Sequence, residues 1–141
     1  MTITDMPVTL GAGGILGLYY IYLSARVVMA RGSSKISLGD GGTGAVVAGK
    51  ESEAAALLIA CRAHGNFIEY VPFALILMAG IESAGASHLF LLLLALFLIV
   101  GRILHPLGMT RPVPNPFRAG GTVLTWATIL LASLDALRIA L

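Results

Sequence analysis

Apolar residues occupy four long blocks of this chain, about residues 7–29, 54–81, 86–107 and 119–141, with polar stretches between them. Crossing the ~30 Å hydrocarbon core of a bilayer takes about 20 apolar residues as a helix, and all four blocks are long enough. Between the first two lies "ARGSSKISLGDGGTGAVVAGKESE", residues 30–53, whose glycine, serine and charge read as a loop. "ESAGAS" reads as a tight turn between the second and third blocks. "GMTRPVPNPFRAGG" carries Pro112, Pro114 and Pro116, must break the helix, and forms the third connection. No internal repeat stands out. The pattern predicts an all-α fold, an integral membrane four-helix bundle, with residues 1–141 forming a single four-span domain.

Composition supports a lipid environment. Hydrophobic residues make up 57% of the 141 and charged residues 11%, against about 25% charged in an average soluble domain. Water could not adequately solvate such a surface. The net charge of +2 comes with no basic cluster long enough to engage nucleic acid. Cys61 is the only cysteine, which excludes an intrachain disulfide and a cysteine-based metal cage. Asp5 and the lack of a basic residue before the first block argue for a retained first helix over a cleaved signal peptide. Arg26, Arg31, Lys35 and Lys50 flank or occupy the first connection, and Arg111 and Arg118 the third; the N-terminus and second connection have none. The positive-inside rule then places loops one and three in the cytoplasm and both termini outside, with Arg138 a minor dissent. Gly13 and Gly17 form a GxxxG, which either packs helices closely or reflects the general frequency of glycine in membrane helices.

One segment breaks the apolar pattern. "CRAHGNFIEY", residues 61–70, puts Arg62, Asn66 and Glu69 at i, i+4 and i+7, on one helical face, with Tyr70 on its flank and His64 pointing elsewhere. An ionised side chain in a membrane helix costs roughly 2.5–3.5 kcal/mol. This face must therefore meet a protein interior or a wet cavity. Asn66 lies where it can bridge Arg62 and Glu69. The stripe is either a polar zipper that sets helix register or a site for a charged ligand, its arginine holding a carboxylate and its glutamate an ammonium. On the third block, Arg102 and His105 share a face at i, i+3. In an up-and-down bundle they fall at the same end as the stripe. Snorkelling to the headgroups would explain Arg102 alone, but not the matched stripe on the neighbouring helix. His88 reads as a solvated turn residue, Asp135 and Arg138 as a local ion pair, and Cys61 as an inert small hydrophobe. Tyr19, Tyr20 and Tyr22 belong to packing, or one of them faces the site. No recognised metal-ligand spacing is present, so no metal site is assigned.

Arg62-x-His64-x-Asn66-x-x-Glu69-Tyr70 on the second of four spans resembles the signature of the MAPEG family, membrane-associated proteins in eicosanoid and glutathione metabolism. "ACRAHGNFIEYVPFALIL", "GRILHPLGM" and "ISLGDGG" are similar to its bacterial subgroup. The resemblance implies a homotrimer in a bacterial inner membrane, with glutathione as co-substrate bound between adjacent subunits near the cytoplasmic ends. By position it implies that Arg62, His64, Asn66, Glu69 and Tyr70 grip the tripeptide. Arg102 and His105 contribute from the third span, and Arg26 or Arg31 adds a carboxylate contact. Arginines suit the two carboxylates, Glu69 the ammonium and Asn66 the peptide groups.

In active relatives a cation beside the sulfur raises the thiolate fraction, the species that attacks electrophiles. Here Arg111 and Arg118 are the candidates for that role. The chain departs from the eukaryotic pattern at Met109, where a tyrosine is common, and at His105, where several relatives have a tyrosine. The implied function is transfer of the glutathione thiolate to a lipophilic electrophile from the bilayer, or reduction of lipid hydroperoxides. Alternatives are a homologue that binds glutathione or lipid without chemistry and, last, a small four-span transporter. Such transporters depend on a carboxylate buried in the first helix, and none lies between Asp5 and Arg26.

Overall fold

The computed structural model describes residues 6–40, 51–112 and 114–141. Four helices follow one another: α1 (Pro7–Ser34), α2 (Glu51–Ser83), α3 (His88–Met109) and α4 (Pro116–Ala140). Each is long and apolar enough to cross a membrane. Asp5 and residues 41–50 of the first connection, Lys50 included, lie outside the described residues.

The helices overrun the apolar blocks. The first connection was expected over residues 30–53, but α1 continues through Ser34 and α2 begins at Glu51. Hydropathy marks only what must avoid water, whereas the backbone ladder runs on until a residue leaves helical geometry. Lys35 does so, at φ 58°, its N–H donating 2.9 Å to the Arg31 carbonyl. The third connection is likewise shorter than expected, because Pro116 opens α4 instead of ending a helix. Its missing N–H costs nothing at the first helical position, and Asn115 Oδ1 caps the helix by accepting from the Phe117 and Arg118 N–H groups at 2.9 and 3.2 Å. "ESAGAS" is the tight turn expected. Gly85 at φ 88° ends α2, with the Ala86 N–H donating to Ile81 O and the Gly85 N–H to Glu82 O, a paired closure that satisfies the last carbonyls.

The start of α1 is capped from another helix. Met6 offers no side-chain cap; instead the Glu82 carboxylate, 8% exposed, accepts from the Val8 N–H at 2.9 Å and the Thr9 N–H at 2.8 Å. An anion at a helix N-terminus meets both the unpaired donors and the positive end of the dipole. This contact sets α1 antiparallel to α2. Glu82→Gln places an amide donor against one of those N–H groups and is expected to cost roughly 1–3 kcal/mol. The check is the thermal midpoint of the purified protein, with Glu82→Asp for comparison; a wild-type midpoint in Glu82→Gln would contradict the cap.

The core is a seam of Leu16 and Leu23 from α1, Ala63, Phe67, Val71, Ala74 and Met78 from α2, and Leu91, Leu94 and Leu98 from α3. On α2 the inward residues recur every three or four positions, so one face is buried and Arg62, Glu69, Phe73 and Ile76 stay exposed on the other. Helix α4 joins α3 through small and hydroxyl residues. A Cβ on Gly101 would stand 2.9 Å from the Gly121 carbonyl oxygen, and one on Gly121 2.7 Å from that of Gly101. Buried Thr125 and Thr128 return their hydroxyl hydrogens to the Gly121 and Leu124 carbonyls at 2.9 and 3.0 Å. Small interfacial residues and internally satisfied hydroxyls are what helix association in lipid favours. Gly17 meets nothing within 4 Å and Gly13 only a Leu75 methyl at 3.9 Å, so their GxxxG does not bring two helix backbones together within this chain.

Candidate functional site

Antiparallel packing brings the first half of α2 beside the last turns of α3 and the start of α4. There Arg102 turns inward rather than to the surface. It is 3% exposed; Nη1 donates to Asn66 Oδ1 at 2.8 Å and lies 3.5 Å from the Asn66 carbonyl, while Nη2 donates to the Gly121 carbonyl at 3.4 Å. Its Cζ stands 5.7 Å from the centre of the Tyr70 ring. Snorkelling is thereby excluded: the guanidinium ties α2, α3 and α4 together. Asn66, expected to bridge Arg62 and Glu69, spends its oxygen on Arg102 instead. A buried cation takes the nearest fixed acceptor, whereas the flanking charges extend into open space.

Beside this latch lies a cleft of about 470 Å³ lined by Asp40, Cys61, Arg62, Gly65, Asn66, Glu69, His105, Met109 and Arg118. Arg62, Asn66 and Glu69 come from one face of α2, His105 and Met109 from the end of α3, and Arg118 from the first turn of α4. Arg118 is held there by the Asn115 cap and by Gly108, whose missing side chain leaves room for the Arg118 backbone. The cleft thus sets two guanidiniums, one primary amide and an imidazole among two carboxylates, a constellation suited to a zwitterion. Among the described residues no group of three His, Cys, Asp or Glu side chains is placed to hold a metal ion.

Sequence reasoning missed Asp40 and misjudged Cys61. Arg31 Nη1 donates to the Ile36 and Ser37 carbonyls at 3.3 and 3.1 Å, folding the segment after α1 back so that Asp40 reaches the cleft. In the sequence Asp40 lay within "ISLGDGG", part of the resemblance but given no site role, beside Gly39, which turns at φ 80°. Cys61 is partly exposed on the cleft wall, with Arg31 Nη2 3.9 Å from its sulfur. Its place on the stripe side of α2 cannot be judged from the apolar residues before it.

The other residues singled out lie elsewhere. His64 faces α1, stacked on Tyr20 with ring centres 5.0 Å apart and Nε2 3.1 Å from Ser24 Oγ. Arg26 is partly buried on α1 and, like Arg31, does not line the cleft. Arg111 stacks over Phe117 at 4.1 Å. Tyr19 and Tyr20 pack against Phe67. Asp135 and Arg138 form the expected ion pair at 2.8 Å, and exposed His88 is the first residue of α3. Tyr70 lines a second, apolar groove between α2 and α4, about 450 Å³, with Phe73, Trp126, Ile129, Leu130 and Ser133; Glu69 borders both this groove and the polar cleft.

The family model described as the MAPEG family matches residues 9–138, including every element that builds the cleft. The chain belongs to the MAPEG family. Its curated relatives include the Inner membrane protein YecN of Escherichia coli K12 and that of Escherichia coli O6:H1. Each is 32% identical over 114 residues, 81% of this chain and 78% of the relative. No solved structure matches. The four-helix, strand-free architecture of the described residues accords with MAPEG membership, and Arg62, Asn66 and Glu69 of the α2 segment that carries the resemblance line the cleft.

Proposed function

We propose that this MAPEG protein binds glutathione in the polar cleft and transfers its thiolate to lipophilic electrophiles, with reduction of lipid hydroperoxides a close variant. The observation that carries this reading is the meeting of Arg62 and Arg118 with Glu69 and Asp40 in one cleft. Arg62 suits a carboxylate of the tripeptide and Glu69 its ammonium, which leaves Arg118 as the cation beside the sulfur. The cleft volume falls within the range of small-molecule sites, about 300–1,000 Å³. The apolar groove that shares Glu69 offers a path for a second substrate from the bilayer. Arg62 and Glu69 are exposed in the single chain, which in lipid calls for a covering neighbour; the family resemblance makes that neighbour a second subunit of a homotrimer. The inner-membrane designation of the YecN relatives supports an inner-membrane location, and the loop arginines support cytoplasmic first and third connections.

The test is the thermal midpoint of the detergent-purified protein with and without millimolar glutathione, with Arg62→Ala as control. A ligand that binds only the folded state raises the midpoint as its concentration passes Kd. A rise in wild type that is absent in Arg62→Ala is expected; no rise in either removes the transferase reading. One observation favours a second reading, a homologue that binds glutathione without chemistry. Met109 lines the cleft where a tyrosine is common in eukaryotic relatives, and a thioether has no proton to donate to a thiolate. Retained binding with no turnover on a panel of electrophiles and hydroperoxides would select it.

A further inference from the structure

The geometry points to Arg102 as a positioning residue that acts through Asn66, turning the Asn66 amide so that the cleft wall presents a hydrogen-bond donor and accepts only ligands that offer it an oxygen acceptor. The occupant is the glutathione of the proposed function, and the inference specifies which of its groups faces this wall: a carbonyl or carboxylate oxygen, not the ammonium.

The two ends of an asparagine side chain are nearly isosteric, so its orientation must come from its partners. Here chemistry decides it. A guanidinium has five donors and no acceptor, so the atom 2.8 Å from Arg102 Nη1 is Oδ1. The Nδ2 group then has no acceptor among the described residues, and Asn66 lines the cleft. Rotating the amide to offer its oxygen to a ligand would set N–H against N–H at Arg102 and leave buried donors unpaired, the costly arrangement.

Arg102 itself reinforces the selection. It is buried, its Nε has no hydrogen-bond partner among the described residues, and its guanidinium donates to the neutral oxygens of Asn66 and Gly121. A desolvated cation held on neutral oxygens polarises the Asn66 amide it binds, which strengthens the amide's N–H as a donor toward the cleft. It does not line the cleft, and its contact with the wall is the 2.8 Å hydrogen bond to Asn66.

Three variants of the full-length protein test this, with glutathione affinity read by titration. Asn66→Asp gives Arg102 a carboxylate, so stability should equal or exceed wild type. The second oxygen, however, meets the ligand acceptor, and affinity should fall by about tenfold or more. If the pair merely held helices together, Asn66→Asp would bind glutathione as wild type does, and the inference would be overturned. Arg102→Met should weaken binding in the wild-type background and have no further effect in Asn66→Ala; equal losses in both backgrounds would mean that Arg102 does not act through Asn66. The chain has two asparagines, Asn66 and Asn115, so selective 15N-asparagine labelling yields two side-chain amide signals. The Asn66 signal must move in Arg102→Met, and its failure to move sinks the inference whatever the ligand. If it moves while wild type ignores glutathione, the glutathione reading fails and the positioning role stands.

Discussion

Gly121→Ala is expected to destabilise the bundle by roughly 1–3 kcal/mol, at the upper end of that range because the obstruction is backbone and cannot rotate away. The added Cβ would stand 2.7 Å from Gly101 O and from His105 N, and 2.9 Å from His105 Cα. Helices α3 and α4 must separate, and three features of the site move with them: His105 on the cleft wall, Arg118 in the first turn of α4, and the Gly121 carbonyl that accepts from Arg102. Stability and glutathione affinity should therefore fall together. Gly120→Ala is the control. Its Cβ would meet nothing within 4 Å, and alanine is the better helix former, so its midpoint should stay at or slightly above that of wild type. Equal effects of the two substitutions would mean that the glycine contact does not hold α4 in place.

Arg118→Ala should lower turnover with lipophilic electrophiles by on the order of a hundredfold, the scale seen when a donor at a developing charge is removed, while Arg111→Ala should stay within about twofold. Both were candidates from the sequence, but Arg118 lines the cleft and Arg111 lies over the Phe117 ring. The pH profile separates an electrostatic role from simple loss of binding. A guanidinium near a thiol favours the thiolate, so in the proposed complex the thiol of glutathione is expected to titrate lower than it does free in water. Removing the guanidinium raises that value, and the rising limb of kcat against pH should move to higher pH. Arg118→Lys, which keeps the charge without the forked donors, should retain most of the limb's position. An unshifted limb in Arg118→Ala, or an equal loss in Arg111→Ala, would remove Arg118 from the thiolate-activating role.

Hydropathy alone was sufficient for the four helices, because a chain in lipid must satisfy its backbone internally and the span length is set by the bilayer. Helical periodicity placed Arg62, Asn66 and Glu69 on one face, and up-and-down connectivity put Arg102 and His105 at the same end. Both follow from local geometry and short loops. What periodicity could not supply was the partner of each polar group. Asn66 faced Arg102 across helices instead of bridging its own stripe, and His64 turned to Ser24 and Tyr20. Asp40 arrived from a fold-back held by Arg31. Glu82, in what read as a turn, proved to cap a helix more than seventy positions away in the sequence. Close packing fell to Gly101, Gly108 and Gly121 and not to the GxxxG of α1. Patterns along a chain record which residues must avoid water and which share a face, since these depend on near neighbours. Which polar group answers which, and where two backbones touch, depends on atoms brought together across helices, and that the tertiary structure alone decides.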